Sequence, residues 1–118
     1  MIRPIRLIVI ASSLTLVLAG CAQKAVEHEA ATRPSGQVVT IDNFRFDPPM
    51  LTVSRGARVT WLNRDDVPHT ATSSASPRAF DSKALDTDEQ FSFVFTTPGT
   101  YPYFCAVHPH MTAAIIVK

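Results

Sequence analysis

The sequence predicts an all-β fold, an antiparallel sandwich of two sheets, on three observations. Eight short segments rich in β-branched and aromatic residues fall within roughly 80 residues. Turn chemistry at Pro48-Pro49, Arg55-Gly56 and Pro98-Gly99 separates several of them, and Phe91-Ser92-Phe93-Val94-Phe95 places an aromatic ring at every second position, the period of a strand. Few stretches look helical. Two sheets packed face to face are the usual way to bury alternating apolar positions.

Taken in order, the first segment stands outside this fold. Arg3 and Arg6 precede an apolar run from Leu7 to Leu18 that ends in Ala19-Gly20-Cys21. The basic start, the short run and the small residues after it predict an export signal over residues 1–20 rather than a membrane-spanning helix. Leu18-Ala19-Gly20-Cys21 resembles the box of bacterial lipoproteins, which makes Cys21 the expected lipidation site and the first mature residue. The alternative is an ordinary secretory signal with an incidental cysteine. Residues 21–36 are polar, without sustained apolar periodicity, and read as a lipidated cysteine followed by a flexible tether. The protein is then expected to be exported and lipid-anchored to a bacterial membrane, facing the periplasm or the cell exterior.

The folded domain is expected over residues 37–118. Its predicted strands are Val38 to Ile41, Phe44 to Phe46, Leu51 to Val53, Ala57 to Leu62, Thr70 to Thr72, Phe91 to Phe95, Tyr101 to Phe104 and Thr112 to Val117. Between Ser73 and Glu89 the chain is polar and irregular, with Phe80 and Leu85 as anchors and room for a short turn of helix. The whole chain carries 11 basic and 10 acidic side chains in 118 residues, and loss of Arg3 and Arg6 would move its formal charge from +1 to −1. So weak a field gives no support to nucleic-acid binding. One small domain, expected to be monomeric, accounts for the length.

The two cysteines would ordinarily suggest a disulfide in an exported protein. If lipid consumes Cys21, Cys105 is left as a lone thiol in an oxidising compartment. Metal ligation keeps such a sulfur both deprotonated and protected. Cys105-Ala106-Val107-His108-Pro109-His110-Met111 brings a thiolate, imidazoles and a thioether into seven consecutive positions. Two imidazoles and a thiolate in one plane, with a distant axial methionine, are the donors of a blue-copper centre. The loop supplies three of these groups if His108 is used, and the second histidine must come from elsewhere. His69, which follows Pro68 and opens a predicted strand, is the candidate.

Singly, each residue has an ordinary explanation. A lone cysteine or methionine is usually core, and a lone histidine is usually structural or solvated. The combination Cys-x2-His-x2-Met between two strands, with an upstream histidine, outweighs those separate explanations. Zinc is the first rival, although a structural zinc site usually recruits more cysteine and gains little from a thioether. A binuclear copper centre needs a second cysteine near Cys105, and an electron-relaying oxidase needs histidines on both sides of it. Phe104 and Ala106 stand there instead. Nor does the sequence offer a persuasive orienting Asn or Asp for nucleophilic cysteine catalysis, so no enzyme activity is expected.

At these residues the chain resembles the cupredoxins, most closely the amicyanin and plastocyanin group. The matching pieces are Val59-Thr60-Trp61-Leu62-Asn63-Arg64, Pro68-His69, Pro98-Gly99-Thr100-Tyr101-Pro102-Tyr103-Phe104-Cys105 and the short Cys-x2-His-x2-Met loop. The resemblance implies a Greek-key β-sandwich of about seven to eight strands. It also implies one type 1 copper ion with His69, Cys105 and His108 equatorial and Met111 axial. As a carrier, the protein would shuttle single electrons between transient partners of the dehydrogenase, reductase or cytochrome c type. An electron-transfer surface is implied where the edge of His108 emerges between Val107 and Pro109, with Phe104 as a second route. A copper-delivery or copper-buffering lipoprotein is the alternative, with His28 and His110 as secondary ligands. Two departures from the family pattern matter. Thr70 follows His69 where that group usually has asparagine, which leaves only a hydroxyl to tie the ligand loop to this strand. His110 occupies a position that is commonly apolar.

Overall fold

The computed structural model describes residues 36–118. The expected export segment, the lipidation site Cys21 and the tether as far as residue 35 lie outside the described residues. Eight strands follow in order: β1 Gln37–Asp42, β2 Arg45–Asp47, β3 Met50–Val53, β4 Arg58–Asn63, β5 Thr72–Ser73, β6 Gln90–Val94, β7 Gly99–Phe104 and β8 Thr112–Val117. Each predicted strand is present, with ends shifted by no more than two residues. They form two four-stranded sheets, ordered β2-β1-β4-β6 and β3-β8-β7-β5.

The sheets are mixed rather than antiparallel. β1 runs parallel to β4 and β3 parallel to β8, while the other neighbours are antiparallel. After the β1–β2 hairpin the chain crosses to the second sheet for β3 and returns beside β1 as β4. Alternation along a strand is the same in either direction, so it predicts the faces but not the polarity.

The apolar faces meet around Trp61, which is fully buried at the centre of β4. Phe80 stacks on its indole at a centroid distance of 5.0 Å, and Tyr103 from the opposite sheet meets it edge-on at 5.5 Å. Val39, Ile41 and Val59 of one sheet and Ile115 of the other complete the fully buried aliphatic core. Trp61 Nε1 and Tyr103 Oη are both buried without a well-formed hydrogen bond, although the indole N–H lies close enough to the phenol to favour its ionised form slightly. Burial pushes the Tyr103 hydroxyl well above the ordinary tyrosine range.

No helix forms among the described residues, so the turn of helix expected between Ser73 and Glu89 is absent. Backbone bonds tie that segment down instead: Ser73 N–H to Phe80 O at 3.0 Å, and Ser82 N–H to Ala71 O at 3.0 Å. Phe80 and Leu85 are buried, as the sequence predicts for its two anchors. This strapping brings the segment against His69. At the same end of the molecule, β7 stops at Phe104 and β8 begins at Thr112, leaving Cys105 to Met111 as the loop between two paired strands.

Candidate metal centre

His69 does not open a strand. It lies three residues before β5, in a single antiparallel bridge to Leu85 made by His69 N–H to Leu85 O at 3.1 Å and Leu85 N–H to His69 O at 2.8 Å. The bridge fixes its backbone while β5 pairs with the end of β7, where Thr72 faces Phe104. The neighbour expected from the sequence is therefore correct, although the strand begins later. In the ligand loop, Cys105 N–H bonds Met111 O at 3.0 Å and Met111 N–H bonds His108 O at 2.9 Å. These two bonds curl the loop inward and bury Met111 beside Cys105.

The structure brings His69, Cys105 and His108 into one cluster. Cys105 Sγ lies 3.7 Å from His69 Nδ1 and 3.8 Å from His108 Nδ1, and the two nitrogens are 3.2 Å apart. A point equidistant from all three atoms lies about 2.1 Å from each, within the range of roughly 2.0–2.3 Å for nitrogen and thiolate bonds to a first-row metal. His69 and Cys105 are fully buried, whereas His108 is partly exposed. The donor set is therefore shielded from water on one side and reaches the surface through one imidazole.

Asp65 sets the protonation of His69. Its Oδ2 is 2.7 Å from His69 Nε2, and an ionised carboxylate can only accept, so Nε2 carries the proton and the lone pair of Nδ1 points into the cluster. The same carboxylate accepts from Asn43 N–H at 2.6 Å and from Phe44 N–H at 2.9 Å. Burial works to raise the Asp65 pKa, but the N–H groups of Phe44 and Asn43 together with His69 outweigh it and hold the carboxyl below its usual range.

Asn43 and Phe44 both adopt left-handed backbone conformations, with φ of 49° and 56°. This tight turn begins β2 one residue later than the sequence predicts and swings Phe44 over the cluster. Its ring meets His69 and His108 edge-on at 5.3 and 5.1 Å. Neither Asp65 nor Phe44 was expected at the site. A turn at Asn43 was the one available signal, since asparagine tolerates the left-handed region.

The remaining expected residues divide by exposure. Val107, Pro109 and His110 are exposed around His108, and Phe104 is half-buried. The His110 ring stands 6.3 Å from that of His108 and is not part of the cluster. His28 lies outside the described residues. Thr70 does replace the missing asparagine tie: Ala106 N–H donates to its Oγ1 at 2.7 Å, while Thr70 N–H donates to Cys105 Sγ at 3.3 Å.

A sandwich that presents a buried cysteine sulfur and two inward-facing imidazoles from loops at one end defines a class of small metal proteins. The chain belongs to the cupredoxin family, whose model, described as a cupredoxin-like domain, matches residues 8–117. It is 31% identical over 112 residues to amicyanin-alpha of Methylorubrum extorquens, covering 92% of this chain and 91% of that protein. It is 30% identical over 118 residues to a plastocyanin of Synechococcus sp., covering 89% and 85%. Among solved structures, a reduced Cu(I) form of an amicyanin variant at pH 4 superposes with a TM-score of 0.67 at 30% identity, covering 71% of this chain and 83% of that one. The family's cofactor is one copper ion, and the donor set of this cluster fits it.

Proposed function

We propose that the protein is a type 1 copper electron carrier whose copper would be held by His69, Cys105 and His108, with Met111 as the fourth donor. The observation that carries this reading is the triangle of two Nδ1 atoms and one Sγ, already sized for a metal. Bound there, copper supplies one-electron exchange between Cu(I) and Cu(II). The protein's part is to resist rearrangement: the Leu85 bridge and Asp65 hold His69, and the curled loop holds Cys105 and His108. Thr70 N–H donates to the sulfur and draws off some of its electron density.

The partly exposed His108 is the exit for the electron, with Val107, Pro109 and Phe44 as the surrounding contact surface and Phe104 as a second route. Partners of the dehydrogenase, reductase or cytochrome c type would meet a monomer there through a small, transient contact. Full burial of His69 and Cys105 favours retention of the metal over its delivery to an acceptor. Residues 1–20 direct export, and lipid on Cys21 tethers the domain outside the cytoplasm. Labelling with a radioactive fatty acid that persists in Cys21→Ala would remove the anchor from this account.

Copper reconstitution followed by visible absorption tests the central claim. An intense thiolate-to-copper band, lost in Cys105→Ser, is the expected result. Tight zinc binding without such a band on copper addition would overturn it.

A further inference from the structure

A hydroxyl in place of asparagine raises a physical problem. Thr70 Oγ1 must accept from Ala106 N–H, yet a hydroxyl rotates freely and can equally present its proton. The structure contains a chain of polar groups that settles the direction. Thr70 Oγ1 lies 2.8 Å from Thr72 Oγ1, and Thr72 Oγ1 donates to Asp81 Oδ1 across 3.5 Å. An ionised carboxylate accepts only, so Thr72 gives its proton to Asp81 and must accept from Thr70. The Thr70 proton is then committed, and its lone pair is left for Ala106 N–H.

The far end of the chain is anchored. Lys83 N–H bonds Asp81 Oδ1 at 3.0 Å, while Lys83 Nζ at 3.0 Å and Arg78 Nη1 at 3.2 Å reach Oδ2. A backbone bridge between Thr72 and Asp81 keeps the longest link in register. Thr70 and Thr72 are both buried, so water does not readily replace either partner.

We propose that Thr72 and Asp81 are positioning residues for the metal-ligand loop, acting through Thr70 to hold the Cys105-Ala106 peptide. Asparagine, with its acceptor and donors on separate atoms, performs that role without help. Threonine performs it here because a carboxylate two residues down the chain of hydrogen bonds fixes its hydroxyl. The effect on copper rests on the function proposed above; the effect on the loop does not.

The test is amide hydrogen exchange at Ala106 in the metal-free protein, followed by the reduction potential of the copper-loaded form. Thr72→Val and Asp81→Ala should each speed Ala106 exchange roughly five- to tenfold, the size of one neutral hydrogen bond, and shift the potential in the same direction as each other. Thr72→Ser should restore both readouts. Lys83→Ala, which loosens the surface ion pairs but spares the chain of hydroxyls, should leave Ala106 unchanged. Parent-like exchange in Thr72→Val, or equal acceleration in Lys83→Ala, would overturn the proposal. Failure to form a blue centre in the unsubstituted protein would sink the copper reading while leaving the exchange result to stand on its own.

Discussion

Asp65 Oδ2 lies 2.7 Å from His69 Nε2, so the proton on this imidazole is placed before any metal arrives. Partners of this kind are typically worth about 10–100-fold in metal affinity. Asp65→Ala should lower copper affinity by about that factor, measured by competition with a chelator. Asp65→Asn, which keeps one acceptor oxygen, should lose less. Equal affinity in the alanine variant would mean that packing around the ring, with the backbone held by the Leu85 bridge, is enough to orient it.

Phe44 sits at a backbone angle that costs a residue with a Cβ about 1–2 kcal/mol, and its side chain is 43% exposed. Phe44→Gly removes the more than half of the ring that is buried, a loss of about 1–2 kcal/mol that relief of the backbone strain largely offsets. Thermal unfolding of the metal-free protein should move by only a few degrees. The two imidazoles, however, lose their common edge contact, and release of copper to a chelator should become faster. A large loss of stability with unchanged release would show that Phe44 serves the fold and not the site.

What the sequence discloses depends on whether the relevant residues are neighbours in it. Cys105, His108 and Met111 are legible because one loop carries them, and the strand faces are legible because alternation survives in Phe91 to Phe95. Strand direction is not, because β1 and β4 become parallel through a crossover that leaves no periodic trace. Asp65 reaches Asn43 and Phe44 from 22 and 21 positions away, through a turn whose geometry only the folded backbone defines. The segment after β5 is held by backbone bonds, which no side-chain pattern announces. Thr70 was recognisable as a departure, but its remedy depended on Thr72 and Asp81 meeting it in space.

Val107 is 51% exposed beside His108 and contributes apolar surface without touching the cluster's geometry. Val107→Glu should slow electron transfer to a partner and leave the visible spectrum intact. Stopped-flow oxidation by a soluble cytochrome c compares the two. Equal rates would move the exit elsewhere, with Phe104 the next residue to substitute.

Asp81 is depressed below the usual carboxylate range, chiefly by the N–H of Lys83; burial opposes this, and the charges of Lys83 and Arg78 reinforce it. Because the folded pKa lies below the unfolded value of about 3.9, the ionised group stabilises the fold above that pH. The contribution fades as pH falls through the folded value. Asp81→Asn should therefore destabilise the metal-free protein near neutrality and much less near pH 3, as read from urea midpoints at the two values. A pH-independent difference would assign the loss to shape rather than charge.

Tyr103 buries a hydroxyl that has no hydrogen-bond partner, against an indole N–H in the same condition. An unsatisfied buried polar group costs about 1–3 kcal/mol, and removing it without changing shape is close to neutral or favourable. Tyr103→Phe keeps the edge-on contact with Trp61 and the packing against Phe46, whose ring centroid is 4.7 Å away. The variant should unfold at the same temperature as the parent or slightly above it. A stability loss of more than about 1 kcal/mol would mean that the hydroxyl is hydrogen-bonded in solution, with the neighbouring Trp61 indole N–H as the donor.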